Sequence, residues 1–346
     1  MSQMLAEIRE QPHALERTLN DELKPIEDLR RRLEVQRPRL VLLAARGTSD
    51  NAAQFGRYLL EITTGIPVSL AAPSIFTLYR STIHLDGVLV IALSQSGEST
   101  DTNYVLERAR EQGALTIGVT NEAASTTARI AEHTFLVRAG KEKSVAATKT
   151  YTGQLLMLYL LAYALGAAIQ PDDLARIPAL ANAALGLEDE IAARSERYRF
   201  MEQAVVIGRG LNYSNAFEFA LKLMETCYVV AERFSSADLL HGPIAMVGQS
   251  FPAFLFTPSG VTWPGMRQML DKLDQIGAET LIVTDRSNSE ALGRVKRAIV
   301  IPAELEEMLT PIPYIIPMQL FAARLAEQKG QNPDQPRTIS KVTRTL

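Results

Sequence analysis

Two groups of residues in this 346-residue chain have the types and the spacing to do chemistry. The first lies on Asn215–Glu225, where Glu218, Lys222 and Glu225 recur three and four residues apart. On a helix that spacing stacks the three charges along one edge, beside an apolar stripe of Phe217, Ala220, Leu221 and Met224. Shortly after comes Ser235-Ser236-Ala237-Asp238-Leu239-Leu240-His241-Gly242-Pro243, a loop-like run with one of only four histidines. The glycine and proline that follow His241 fix the backbone locally. A carboxylate, an ammonium and an imidazole on neighbouring segments are the parts of proton-transfer catalysis. The same residues also fit a solvated ion pair and a structural histidine.

The second group follows the apolar run Leu89–Leu93, which ends abruptly in Ser94-Gln95-Ser96-Gly97-Glu98-Ser99-Thr100 before a helical pattern over Asn103–Arg110. A strand, a tight turn and a helix N-terminus present free N–H groups and a dipole that favours an anion. The serine hydroxyls add donors, and Gly97 permits close approach of a ligand. This reads as a phosphate cradle with no cation of its own. It reads equally as a polar turn whose Ser, Thr and Asp residues cap the helix. Val145-Ala146-Ala147-Thr148-Lys149-Thr150, before a long apolar helix from Tyr151, is either a close approach for a sugar or a capping segment with an exposed Lys149. The tail Gln335–Lys341 is either frayed or laid, through Lys341, over a site.

Composition narrows the partners. Net charge is −3, and no basic stripe suggests nucleic acid. Charged residues at 22% and hydrophobic ones at 47% describe an ordinary globular protein. The single cysteine, Cys227, leaves no intramolecular disulfide and fits a reducing compartment. His13, His84, His133 and His241 are scattered, so no metal constellation is expected. No P-loop and no dinucleotide fingerprint is present, so no cofactor is expected either. Met1–Glu10 lacks the apolar core of a signal peptide. The apolar run Leu155–Ile169 falls short of the roughly 20 residues a membrane span needs. A cytoplasmic protein with no membrane partner is the expectation.

The elements that must position these groups alternate as in a doubly wound α/β fold. Gln11–Gln36 has leucines at helical spacing and reads as one or two amphipathic helices broken near Pro25. Apolar strands are expected at Leu40–Ala45, Val68–Leu70, Val88–Leu93, Thr116–Val119 and Thr134–Val137, and the pattern restarts at Ala204–Gly208. The restart is a repeat: Gly113–Asn121 matches Gly277–Asp285 164 positions on, and Gly166 matches Gly330 at the same shift. Two copies of one α/β domain are therefore expected, each a mostly parallel sheet between helices. The boundaries read as an N-terminal helical segment (1–36), a first domain (37–170), a linking helix (171–199), a second domain (200–330) and a tail (331–346). In the second copy the serine turn has become Thr257-Pro258-Ser259-Gly260, and Pro258 lacks a backbone donor. Only the first copy keeps a good cradle.

Arg46-Gly47-Thr48-Ser49, Ser94-Gln95-Ser96-Gly97-Glu98-Ser99, Val145-Ala146-Ala147-Thr148-Lys149, Ala220-Leu221-Lys222-Leu223, His241-Gly242-Pro243 and Gln335-Pro336-Arg337 stand in the order found in the sugar-isomerase (SIS) family. The chain resembles that family from about Leu40 to Lys341, above all the isomerase half of the glucosamine–fructose-6-phosphate aminotransferases. The resemblance implies that Ser94, Gln95, Ser96 and Ser99 hold a sugar phosphate. It implies that Gly47, Thr48, Ser49, Val145 and Ala147 contact the sugar. Glu225 takes the role of the carboxylate that moves a proton between C1 and C2, Lys222 is its companion and His241 opens the ring from a partner subunit. The resemblance further implies that Lys341 lies over the sugar and that the chain forms a homodimer. Departures are Arg46 for a small residue, Leu240 for a lysine and Ala147 for a serine. Ser2 follows Met1 where those synthases have a cysteine, so glutamine is not expected as the nitrogen source for this chain alone. The implied activity is an isomerase and deaminase of a phosphorylated amino sugar, with glucosamine 6-phosphate giving fructose 6-phosphate and ammonia. Alternatives are a fructosamine-phosphate deglycase, a non-catalytic sugar-phosphate sensor, and the isomerase subunit of a glutamine-dependent synthase.

Overall fold

A computed structural model describes residues 2–341. In chain order the first half forms α1 (Gln3–Arg9), α2 (Gln11–Val35), β1 (Leu40–Ala44), α3 (Thr48–Thr64), β2 (Val68–Leu70), α4 (Pro73–Thr77), β3 (Val88–Ser94), α5 (Thr100–Glu111), β4 (Leu115–Thr120), α6 (Thr126–Ile130), β5 (His133–Leu136) and α7 (Lys149–Ala164). Three helices follow, α8 (Pro171–Leu174), α9 (Ile177–Leu185) and α10 (Glu188–Glu196). The second half runs β6 (Gln203–Gly208), α11 (Tyr213–Cys227), β7 (Val230–Ser235), α12 (Ser236–Leu240), β8 (Pro252–Phe256), α13 (Trp263–Ile276), β9 (Glu279–Asp285), α14 (Ser289–Arg294), β10 (Ala298–Ile301) and α15 (Pro311–Gln328).

These elements segregate into two compact units that do not follow chain order. The N-terminal unit comprises Glu10–Glu142, Ala147–Pro178 and residues 339–341; the C-terminal unit comprises residues 2–9, Lys143–Ala146 and Ala179–Thr338. Helix α1 and the loop Lys143–Ala146 thus belong with the second half.

The N-terminal unit is built on a parallel sheet of order β2-β1-β3-β4-β5. Strand β3 is buried over its whole length, as expected of a central parallel strand with helices on both faces. Helix α7 is buried almost all round because α2 and α3 pack against it. The expected break at Pro25 does not occur. Helix α2 runs unbroken through it, because Ile26, Leu29 and Leu33 continue the buried stripe beyond the proline. One missing helical bond costs less than exposing that stripe.

The C-terminal unit repeats the order as β7-β6-β8-β9-β10, again parallel, so the sequence repeat is a structural one. Its core gathers Val205, Ile207, Leu255, Met266 and Ile282. Helix α11 packs on β6, β7 and α15, and this corrects the expected stripe. The buried apolar residues are Ala216, Phe219, Ala220, Leu223 and Cys227, whereas Phe217, Leu221 and Met224 are only half-buried. Burial pushes the Cys227 thiol up to about 11, and its Sγ donates to the Ala322 carbonyl.

Candidate functional site

In the N-terminal unit β1 and β3 are neighbours, and the chain leaves their carboxyl ends in opposite directions of strand order. In such sheets this switch point is where ligands bind. Two turns stand there, Ala45–Gly47 and Gln95–Ser99. The serine turn is held rigidly from behind. The Gly97 amide donates to the Ser94 carbonyl (3.2 Å) and Ser94 Oγ (3.1 Å). The Gly97 carbonyl accepts from the Thr127 amide (2.9 Å) and from Asn103 Nδ2 (3.0 Å). The Gln95 carbonyl accepts from the Asn121 amide at 3.1 Å. Gly97 has φ +64°, and a Cβ there would overlap Ser125, so the turn tolerates no side chain at that point. Ser99 occupies the N-cap position of α5 but makes no side-chain cap; its hydroxyl pairs with Thr102 Oγ1 at 3.1 Å. Gln95, Ser96 and Ser99 are partly exposed.

The turn after β1 is fastened to the same place. Arg46 Nη2 lies 2.6 Å from the buried Asp101 carboxylate in the first turn of α5. Gly47 and Thr48 start α3, and Ser49 is buried with its Oγ accepting from Gln154 Nε2 at 2.9 Å. Ser49 is therefore a tether between α3 and α7 as well as a residue of the turn.

Ahead of α7 lies a carboxylate that sequence patterns do not single out. Glu142 is buried, and accepts from the Thr148 amide (2.9 Å), Thr150 Oγ1 (2.7 Å) and Lys341 Nζ (2.9 Å). Burial alone would raise its pKa; the Lys341 charge and these donors outweigh burial and hold it below the usual range. Lys341 of the tail thus ends on the Glu142 carboxylate. Lys149 is not exposed, since its ammonium is buried at 2.6 Å from Glu10. Ala147 belongs to this unit and Val145 to the other, where its amide donates to the Asp334 carbonyl at 3.2 Å.

In the C-terminal unit the charge run on α11 is not a solvated pair. Lys222 is fully buried, with Nζ 2.6 Å from Glu225 and 3.5 Å from Glu218, itself fully buried. Glu225 keeps a side-chain exposure of 23%, so it is the member of the run that reaches solvent. His241 is exposed and follows α12, its amide donating to Asp238. Arg337 of the tail lies over the Tyr228 ring at 4.1 Å, and its amide donates to the Tyr228 hydroxyl at the end of α11. In the turn matching the serine turn, Thr262 donates from its amide (3.2 Å) and Oγ1 (2.6 Å) to the Glu307 carboxylate. A Cβ on Gly260 would lie 2.5 Å from Glu307 Oε2. An internal carboxylate fills the second cradle.

Among the described residues no group of His, Cys, Asp or Glu could hold a metal ion, and no helix is long and apolar enough to cross a membrane.

The SIS domain model matches residues 35–164 and 201–326. The glutamine–fructose-6-phosphate aminotransferase of Pyrococcus horikoshii is 34% identical over 98% of this chain, and the chain spans 57% of that relative's length. Among solved structures, the C-terminal domain of glucosamine-fructose-6-phosphate aminotransferase from Francisella tularensis superposes with a TM-score of 0.85 at 28% identity, over 97% of this chain and 98% of that one. A Thermotoga maritima glucosamine-6-phosphate deaminase shares the fold, with a TM-score of 0.77 at 20% identity over 99% and 100% of the two chains.

Proposed function

The chain belongs to the SIS-domain family, and from that membership we propose that it is an isomerising deaminase of a phosphorylated amino sugar. Its reaction takes glucosamine 6-phosphate and water to fructose 6-phosphate and ammonia. The observation that carries this reading is the charge run on α11. A lysine buried without exposure between two carboxylates, one of which reaches solvent, is costly to keep and supplies a charged pair that proton transfer needs and binding alone does not.

In this reading Ser94, Gln95, Ser96 and Ser99 take the phosphate, with the N–H groups that open α5. Gly47, Thr48, Ser49, Val145 and Ala147 contact the sugar. His241, exposed on this chain and supplied to a partner subunit of a homodimer, opens the ring by moving a proton to the ring oxygen. Glu225 removes the C2 proton of the open-chain amino aldehyde and returns a proton to C1 of the resulting enolamine. The product is a 2-imine, which water hydrolyses to the ketose and ammonia. Lys222 holds Glu225 in place and, with Lys341, offsets negative charge that develops on oxygen. Positioned acid–base groups contribute about 10²–10⁴-fold each.

Release of ammonia from glucosamine 6-phosphate by the purified protein tests the reading. Glu225→Gln should abolish release while leaving binding within a few-fold; retained turnover sinks the assignment. Tight binding with no release favours a sensor. A second reading, the isomerase subunit of a glutamine-dependent synthase, is favoured by the 34% identity to the aminotransferase. Activity that appears only with a glutamine-hydrolysing partner chain would support it.

A further inference from the structure

Helix α1 has seven residues, too few to hold together alone in water, yet it is tied to segments far away in the chain. At its start the Asp334 carboxylate accepts from the amides of Gln3 (2.8 Å) and Met4 (2.7 Å). The carbonyl of that same Asp334 accepts from the Val145 amide. One turn on, the fully buried Glu7 accepts from the amides of Lys143 (2.5 Å) and Ser144 (3.2 Å). Met4, Leu5 and Ile8 are buried, and the helix packs against α15. Three consecutive amides of a loop without regular structure, Lys143, Ser144 and Val145, therefore end on acceptors supplied or anchored by α1. These acceptors come from outside the loop, and the Glu7 carboxylate, which also accepts from Gln3 Nε2 at 3.2 Å, supplies two of them from a buried position that such bonds must compensate. The residue just before this loop, Glu142, is the one that receives Lys341.

We propose that Glu7 and Asp334 are positioning residues. Through α1 they hold the backbone of Lys143–Val145 so that Val145 presents a fixed surface to the sugar. The inference rests on the reading of Val145 as a sugar contact. It assigns to α1 a part in substrate discrimination, distinct from phosphate capture at the serine turn.

The test uses the full chain with Glu7→Ala, Glu7→Gln and Asp334→Asn. Amide hydrogen exchange is followed over residues 143–150, and calorimetry measures binding of glucosamine 6-phosphate and of inorganic phosphate. In Glu7→Ala exchange over 143–150 should rise at least tenfold while that over 94–103 is unchanged. Binding of the sugar phosphate should weaken about tenfold, with kcat falling by a similar factor, because small displacements of a positioned group are costly. Inorganic phosphate should bind within twofold of the parent. Glu7→Gln and Asp334→Asn keep one acceptor oxygen each and should fall between the two, which keeps the test open if Glu7→Ala does not fold. Unchanged exchange overturns the proposal, as does raised exchange with an unchanged ratio of the two affinities. If the parent protein itself binds phosphate but neither binds nor converts glucosamine 6-phosphate, the functional reading fails, and the exchange measurement alone decides whether the clasp exists.

Discussion

Replacing Gly97 by alanine probes whether the serine turn is a rigid cradle. The residue sits at φ +64°, where an L side chain costs roughly 1–2 kcal/mol. The new Cβ would also overlap Ser125 and lie 2.9 Å from Thr120 Oγ1. Ser125 is the N-cap of α6, its Oγ accepting from the Ala128 amide, and displacing it forfeits about 1 kcal/mol. The expected loss of stability is therefore about 2–3 kcal/mol, read as a shift in the urea midpoint with unchanged slope. Because the Gly97 carbonyl is pinned by Asn103 and Thr127, the strain should move the turn, and inorganic phosphate should bind at least tenfold more weakly. The diagnostic variant is Gly97→Ala/Ser125→Gly. Glycine is a tolerable N-cap, so Ser125→Gly alone should cost only a few tenths of a kcal/mol and should relieve the overlap. A favourable coupling of about 1 kcal/mol is expected. A cost for Gly97→Ala below about 0.5 kcal/mol, or full additivity of the two changes, would refute the argument.

Three further outcomes are expected. Lys222→Met leaves the buried Glu218 without its neighbouring cation, and should cost about 3–5 kcal/mol; adding Glu218→Gln should recover much of that in the same urea experiment. Glu225→Gln should leave stability nearly unchanged by comparison, because Glu225 is partly exposed, while ammonia release is lost. The folded pKa of Glu142 is depressed below its ordinary 4.5, so its contribution to stability is present above that value and is lost as pH falls through the lowered one. Protection of the tail around Lys341, followed by hydrogen exchange, should therefore weaken in acid below about pH 4.5, and Glu142→Gln should abolish that pH dependence.

The strands were legible in the sequence because a central parallel strand has no polar face to confuse it, and β1, β3 and β6 are nearly continuous apolar runs. The repeat was legible for the same reason, and it predicted a shared strand order. Helix boundaries near special residues were not. Pro25 suggests a break only when the apolar stripe beyond it is ignored. On α11 the charges misled by one position. A helix enclosed by α15 and the sheet buries more than one stripe, and Lys222 with its two carboxylates lies inside as a mutually compensated group. The hydroxyl turn and the Glu225–Lys222 pair could be picked out because residue types there are unusual for their positions. Glu7, Glu142, Asp334 and Glu307 could not. Glu7, Asp334 and Glu307 bind backbone amides or hydroxyls distant in the chain, Glu142 binds those of Thr148 and Thr150 just ahead of it, and the partner amides carry no mark in the sequence.

Glu307 has a thermodynamic consequence of its own. A carboxylate attached to the chain reaches its seat intramolecularly, so its occupancy there does not depend on the concentration of a free anion. The C-terminal unit then carries the stabilisation from Glu307 within its own chain, whereas an anion that bound the serine turn of the N-terminal unit would stabilise it only as RT ln(1 + [L]/Kd). Two sheets with the same strand order are thus finished differently: one turn has its acceptor built into the chain, and the other would gain stability only from an anion taken from solution.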